Sequence, residues 1–334
     1  DPMRNLSHRC NLLQALRWRY LLDKRLTFMS APTSDPAKQE AVSAADHKYV
    51  FHSWSAQGAI SPMPVASGSG SRFWDHAGKV YLDFSSQLVF TNIGHQHPKV
   101  IKAIQDQAEV LTTIAPQHAN DARNEAAQRV VELAGDHFAK VFFTNGGADA
   151  IENAIRMARL HTHKHKVLST YRSYHGNTGA AINATGDPRR FPNEFAFGHV
   201  HFFGPYLYRT NFWATTEEEE CKRALEHLEQ TIIFEGPGTI AAILIESVPG
   251  TAGVLMPPKG YLDGIRALCD KYKILWIADE VMSGFGRTGK WFAYQHGNAV
   301  PDLITFAKGV TSGYVQLGGV VISDAISKTF DEKV

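Results

Sequence analysis

Two stretches of this chain, TIAAILIES at 239–247 and ILWIADE at 274–280, are apolar almost without interruption until each meets a carboxylate. A strand with one wet face alternates polar and apolar side chains, whereas a strand that is apolar throughout must be covered on both faces. Such cover comes from helices, and the surrounding text supplies them. GYLDGIRALCDKY (260–272) repeats its apolar residues at helical spacing, as does ADAIENAIRMARLH (148–161), with Ile151, Ala154, Ile155 and Ala158 on one side. Further helices are expected at 97–111, at 121–135 with Gly135 as its stop, and from the capping box Thr216/Glu219 through Gln230. KVFFTN (140–145), KVLST (166–170), LITFAK (303–308) and GGVVIS (318–323) are strand-like. Strands and helices in alternation predict an α/β fold with a mainly parallel central sheet and flanking helices. Ligands of such sheets bind at the carboxyl ends of the strands.

The N-terminal part reads differently. Residues 54–83 are rich in Gly, Ser and Pro and end in SRFWDHAGKVYLDF, two short strand-like pieces around a turn at His76–Gly78. We expect 29–95 to be an N-terminal segment of a smaller domain and 96–334 to be the larger, ligand-binding domain. Residues 1–28 are rich in arginine and poor in acids. They read either as a transit peptide or as sequence upstream of a start at Met29, and are not expected to be structured.

Charge and composition exclude several classes. Lys and Arg number 34 against 33 Asp and Glu, which speaks against a nucleic-acid binder. No apolar run approaches the ~18 residues of a membrane-spanning helix, so no membrane partner is expected. Cys10, Cys221 and Cys269 fit neither a zinc spacing nor a disulfide framework and suggest a reducing compartment. The expected location is the cytoplasm, with mitochondrial targeting by 1–28 as the alternative.

The chemistry gathers at strand ends. Asp279 closes one apolar strand and Lys308 another, and a charge at the mouth of a buried strand is costly unless it is paired or used. Gly309 and Ser312-Gly313 behind Lys308 leave room for a ligand. A partly desolvated lysine has a lowered pKa and can form a Schiff base, while an aspartate can hold a proton on a pyridine nitrogen. That pairing is what a pyridoxal phosphate site requires. Asn145-Gly146-Gly147, between a strand and a helix, offers free backbone N–H groups for a phosphate.

Two other patterns carry less. Gly284–Lys290 (GFGRTGK) fits G-x-G-x-x-G and the start of a P-loop, but Trp291 stands where the P-loop needs Ser or Thr, and no helix-periodic stretch follows. It reads as a tight glycine-rich loop. The histidine pairs and triplet (His95/His97, His161/His163/His165, His199/His201) have no acid or cysteine beside them to complete a metal site, and no metal is expected.

The blocks NIGHQHP (92–98), FFTNGGADAIENAIRMAR (142–159), YRSYHG (171–176), AAILIESVPGTAG (241–253), IADEVMSGFGRTGKWFA (277–293) and DLITFAKGVTSGYVQLGG (302–319) follow one another in an order and spacing that resemble the class III (ω-amino) aminotransferases. These are fold type I pyridoxal phosphate enzymes. The resemblance covers about residues 45–334. It implies that Lys308 carries pyridoxal 5'-phosphate and that Asp279 faces the pyridine nitrogen. Val281 and Tyr174 would pack on opposite ring faces, with His175 beside Tyr174. Gly147 and Ala148 would give amides to the phosphate, and Glu246 would orient the surroundings. Trp54, Leu88 and Phe90 are candidates for the donor pocket. Two positions depart from the family pattern: Ala148 where Ser is common, and Met282 where some members carry Gln.

The activity so implied is transfer of an amino group from an ω-amino acid, a taurine-like sulfonate or another amine to a keto acid such as pyruvate, by a homodimer. The alternatives are another reaction on the same scaffold, an aminomutase or a decarboxylating transaminase, or an inactive remnant. The family pattern continues past GGVVIS into a small C-terminal domain, so the chain is expected to be incomplete there, and GGVVIS is expected to lack cover.

Overall fold

The computed structural model describes residues 32–193 and 196–331, so the leader at 1–28 lies outside the described residues. They divide into two compact units. The smaller comprises described residues up to Phe84 together with Ile93–Ile104; the larger comprises Ser85–Asn92 and the chain from Gln105 on.

In the smaller unit a helix, Pro36–Tyr49, begins where Asp35 accepts a hydrogen bond from the Lys38 N–H and proline occupies the first helical position. Three short antiparallel strands follow, β1 (Val65–Ser69), β2 (Arg72–Asp75) and β3 (Val80–Leu82). The expected turn joins β2 to β3, with Gly78 at φ +84° and its N–H on the Asp75 carbonyl.

The larger unit is built on seven strands: β4 (Phe138–Thr144), β5 (Lys166–Thr170), β6 (His199–Phe202), β7 (Ile240–Glu246), β8 (Leu275–Asp279), β9 (Leu303–Phe306) and β10 (Gly318–Ser323). Their order across the sheet is β4-β10-β9-β8-β7-β5-β6. Strands β6, β5, β7, β8 and β9 pair in parallel, and β10 runs antiparallel to both its neighbours. Successive residues of the apolar strands face two separate layers. Ile243, Ile245, Trp276 and Phe306 pack with the helices Asp121–Ala134, Glu217–Glu235 and Tyr261–Tyr272, while Ala242, Leu244, Ile277 and Leu303 pack with Gly147–Thr162. Both faces are therefore dry, as the sequence of β7 and β8 requires.

GGVVIS corrects one expectation. All six of its residues are buried, because β10 lies between β4 and β9 rather than at an open side. Gly318 and Gly319 permit this closeness: a Cβ on Gly318 would sit 2.6 Å from the Gly146 carbonyl oxygen, and one on Gly319 2.6 Å from the Phe306 ring. No helix among the described residues is long and apolar enough to cross a membrane.

Candidate active site

The parallel register of β7 and β8 places Glu246 beside Asp279 at the carboxyl end of the sheet. The loop after β5 brings His175 to them. Its Nδ1 lies 2.7 Å from Asp279 Oδ2, with both side chains buried. A carboxylate only accepts, so Nδ1–H donates; His175 Nε2 is also buried and has no hydrogen-bond partner. The other Asp279 oxygen accepts from the Val281 N–H at 3.0 Å and, at 3.4 Å, from the Thr305 hydroxyl on β9. Glu246 accepts the N–H of Tyr174 at 3.1 Å and of Gly250 at 2.8 Å. Burial pushes its carboxyl pKa up, His175 pulls it down, and Asp279 pushes it up again.

Lys308 sits one residue past Ala307, at the start of a short turn rather than on the strand, with φ +43°. A left-handed lysine is uncommon and costs backbone energy. Burial lowers its ammonium pKa against the pull of Asp279 and Glu246, and Arg287 and Arg189 lower it further. Behind it the chain is tightly packed. A Cβ on Gly309 would meet Asn92 Nδ2 at 2.4 Å, and one on Gly313 would meet the Phe90 ring at 2.3 Å. Arg287 ties this corner together by donating to the carbonyls of Met282 and Val89, each at 2.7 Å, and to Asn92 Oδ1.

The helix Gly147–Thr162 starts at this end of the sheet. Its N-cap is Gly146, with no side-chain cap, so first-turn N–H groups lie open to an anion. A Cβ on Gly147 would come within 3.0 Å of Val281, and one on Gly176 within 2.6 Å of the Ala148 Cβ, so only glycine allows these approaches. The carboxylate of Glu152, one turn into the helix, accepts from the Thr178 hydroxyl and the N–H groups of Ala180 and Ala181. That fixes the stretch following Tyr174-His175-Gly176.

Lys308, Asp279, Glu246, His175, Tyr174, Val281, Gly147 and Ala148 thus converge on one end of one sheet. Phe90 packs behind the lysine, whereas Leu88 is 75% exposed. Trp54 belongs to the smaller unit and is half-exposed there. The sequence reading missed Arg189, whose guanidinium lies 3.7 Å from the centre of the Tyr174 ring and is held by Asp187. It also missed Asn92 and Arg287, and Glu280, which is fully buried and described below. No group of three or more His, Cys, Asp or Glu side chains able to hold a metal occurs among the described residues.

A model of the family described as aminotransferase class-III matches residues 54–333. The chain belongs to the class III aminotransferases. Among class III relatives it is 35% identical to diaminobutyrate–2-oxoglutarate transaminase of Halomonas elongata, over 86% of this chain and 65% of that protein. It is 34% identical to taurine–pyruvate aminotransferase of Bilophila wadsworthia, over 86% of this chain and 64% of that one. The crystal structure of taurine:2-oxoglutarate aminotransferase from Bifidobacterium kashiwanohense, in complex with PLP and glutamate, superposes with TM-score 0.86 and 48% identity, covering 89% of this chain and 67% of that one. The chain therefore spans just under two thirds of the length of these curated relatives.

The site fits a flat, phosphate-bearing cofactor on its own geometry. It combines an uncapped helix start kept clear by glycine, a desolvated lysine facing two carboxylates, and a buried aspartate already bonded to an imidazole.

Proposed function

We propose that this chain carries the cofactor-binding core of a homodimeric aminotransferase that uses pyridoxal 5'-phosphate. Its amine donor has an anionic far end, as in an ω-amino acid or a taurine-like sulfonate, and its acceptor is a keto acid such as pyruvate. The observation that carries the reading is Lys308, an amine whose pKa burial lowers, set among Asp279, Glu246 and the His175–Asp279 hydrogen bond.

Lys308 would hold the cofactor's aldehyde carbon, Gly147 and Ala148 its phosphate, Asp279 its ring nitrogen, and Val281 and Tyr174 its two faces. When bound, pyridoxal phosphate supplies an electron sink for the pair left on the donor carbon. The protein's share is positional and protonic. Once a donor amine has replaced it on the aldehyde carbon, Lys308 Nζ, more readily neutral because it is desolvated, would take the proton from the donor carbon and hand it on. Asp279 cannot swing away, because His175, Val281 and Thr305 hold both its oxygens. Arg189, beside Tyr174 and within electrostatic reach of Glu246 and Lys308, favours a donor ending in carboxylate or sulfonate over a neutral amine. The taurine-acting relatives support the same choice.

Borohydride reduction of the yellow protein, followed by peptide mass spectrometry, tests the reading. The adduct is expected on Lys308; an adduct on Lys290 or Lys259 overturns it. Lys308→Ala abolishes turnover and the label together. Arg189→Ala raises KM for taurine and β-alanine about tenfold or more and leaves KM for a neutral arylalkylamine nearly unchanged. Size-exclusion chromatography with light scattering reads the dimer.

A further inference from the structure

Beside the catalytic strand ends, the same end of the sheet holds a second hollow. Thr170, Ile245 and Glu246, the ends of β5 and β7, form part of it, and Phe203, Pro249 and Leu262 are among its apolar walls. The space within it, counted together with the open solvent at its mouth, amounts to about 570 Å³. None of the groups proposed above to hold the cofactor or act on a substrate lies in it; Glu246, whose carboxylate holds the Tyr174 N–H, is part of its wall.

Its lining includes Tyr261, only 4% exposed, with a buried hydroxyl that has no hydrogen-bond partner in the protein. A buried tyrosine hydroxyl ordinarily finds a partner. Arg172, at the rim, holds a left-handed backbone, φ +64°, and lies over the Tyr206 ring at 5.2 Å. That conformation is fixed from beneath: the Arg172 N–H reaches the Gly186 carbonyl, and a Cβ on Gly186 would stand 2.1 Å from the Thr170 carbonyl oxygen. Backbone strain held in this way clusters at ligand clamps. Tyr171, also in the lining, packs against Phe203 and carries the Arg190 guanidinium over its ring.

The hollow is mechanically joined to the catalytic centre. The turn Pro249–Leu255 closes on itself through Leu255 N–H to the Pro249 carbonyl, and its Gly250 N–H bonds one oxygen of Glu246. The other oxygen holds the N–H of Tyr174.

We propose that this hollow is an accessory binding site for a small aromatic carboxylate, with the ring in the apolar slot and the carboxylate on Arg172. Flat aromatic and proline walls suit a ring, and a planar guanidinium suits a carboxylate. An occupant pressing on Leu255 displaces the Gly250–Glu246–Tyr174 chain of bonds and so alters the catalytic site without entering it.

Phenylacetate is the probe, titrated calorimetrically into the holoenzyme, with phenylethanol as its neutral counterpart. The expected result is one saturable site below about 10 mM. Binding is expected to weaken at least tenfold in Leu262→Trp, which fills the slot, and in Arg172→Gln, which removes the charge at a half-buried position. Phenylethanol binds at least tenfold more weakly, and phenylacetate inhibits noncompetitively against the amine donor. Without phenylacetate Arg172→Gln turns over as the parent does. The proposal is overturned by the absence of saturable binding, by binding undiminished in either folded variant, by phenylethanol binding equally well, or by purely competitive inhibition. Calorimetry needs no turnover, so this outcome is independent of the aminotransferase reading.

Discussion

Asp279 and Glu280 are consecutive, both buried, and both carboxylates, yet the two sides of the β8 terminus on which they lie are chemically opposite. Each Glu280 oxygen takes one hydroxyl and one backbone N–H: Ser247 and Tyr294 on Oε1, Ser283 and Ala293 on Oε2. Burial raises its carboxyl pKa and these four donors lower it. Asp279 instead meets an imidazole, one N–H and a distant hydroxyl, and lies within the field of Lys308. A carboxylate surrounded by fixed donors rivets a loop to a strand. One that faces a buried amine has charge left to use on a ligand.

The largest separation between the two should appear in Asp279→Asn. Turnover is expected to fall about 100- to 1,000-fold, the scale of losing one preorganised electrostatic group, with little movement of the urea midpoint. Near-normal turnover would make Asp279 a second rivet. In Glu280→Gln the pattern reverses. Whichever way the amide points, its NH2 faces a backbone N–H, because each oxygen now accepts one. The expected cost is about 3–5 kcal/mol in urea unfolding, while molecules that remain folded still take the borohydride label at Lys308. Normal stability would mean that the four hydrogen bonds are not what holds the loop.

A third titratable group, half-buried, sharpens the contrast. His199 on β6 is held neutral by burial and by Arg159 and His201, with its pKa pushed down to about 4. Its folded pKa lies below the unfolded value, so between about pH 6.5 and 4 the unfolded chain binds the proton and the native one does not. Stability should therefore fall as pH drops through that window, by up to about 3 kcal/mol. His199→Gln should flatten this slope and leave turnover unchanged at pH 8. A change in turnover there would show that burial far from the strand ends also serves the chemistry.

What the sequence made legible follows from physics that acts locally. β7 and β8 announce themselves because full burial forbids polar residues until the strand ends, and that same rule exposes Asp279; Glu246 was picked out by the family resemblance. Gly146-Gly147 is legible because an anion cradle needs bare backbone. Lys308 could be found as a charge after LITFA, but its place one step beyond the strand, in a left-handed turn, could not. The His175–Asp279 hydrogen bond joins residues far apart in the chain, which only the sheet order brings together. Glu280 hid behind its neighbour, since nothing in IADE distinguishes the acid that is consumed by donors from the one left for use. Arg189 and Arg287 lie in loops, where no periodicity marks a side chain that turns inward.

The antiparallel wedge β10 also bears on how the molecule is assembled. Among the described residues β4 has no other neighbour in the sheet, and β10 follows it only after the whole of β5 to β9. On the ribosome, at ~5–20 residues per second, β4 must wait roughly ten seconds or more with its hydrogen-bonding edge unmet. Because β4 leads directly into Gly146-Gly147, the turn proposed to hold a phosphate is among the last parts to find its place. Such non-local pairing slows folding and exposes an edge to other chains meanwhile. Newly made chains should therefore lean on chaperones, and a ligand that grips the cradle should favour closure of this late seam.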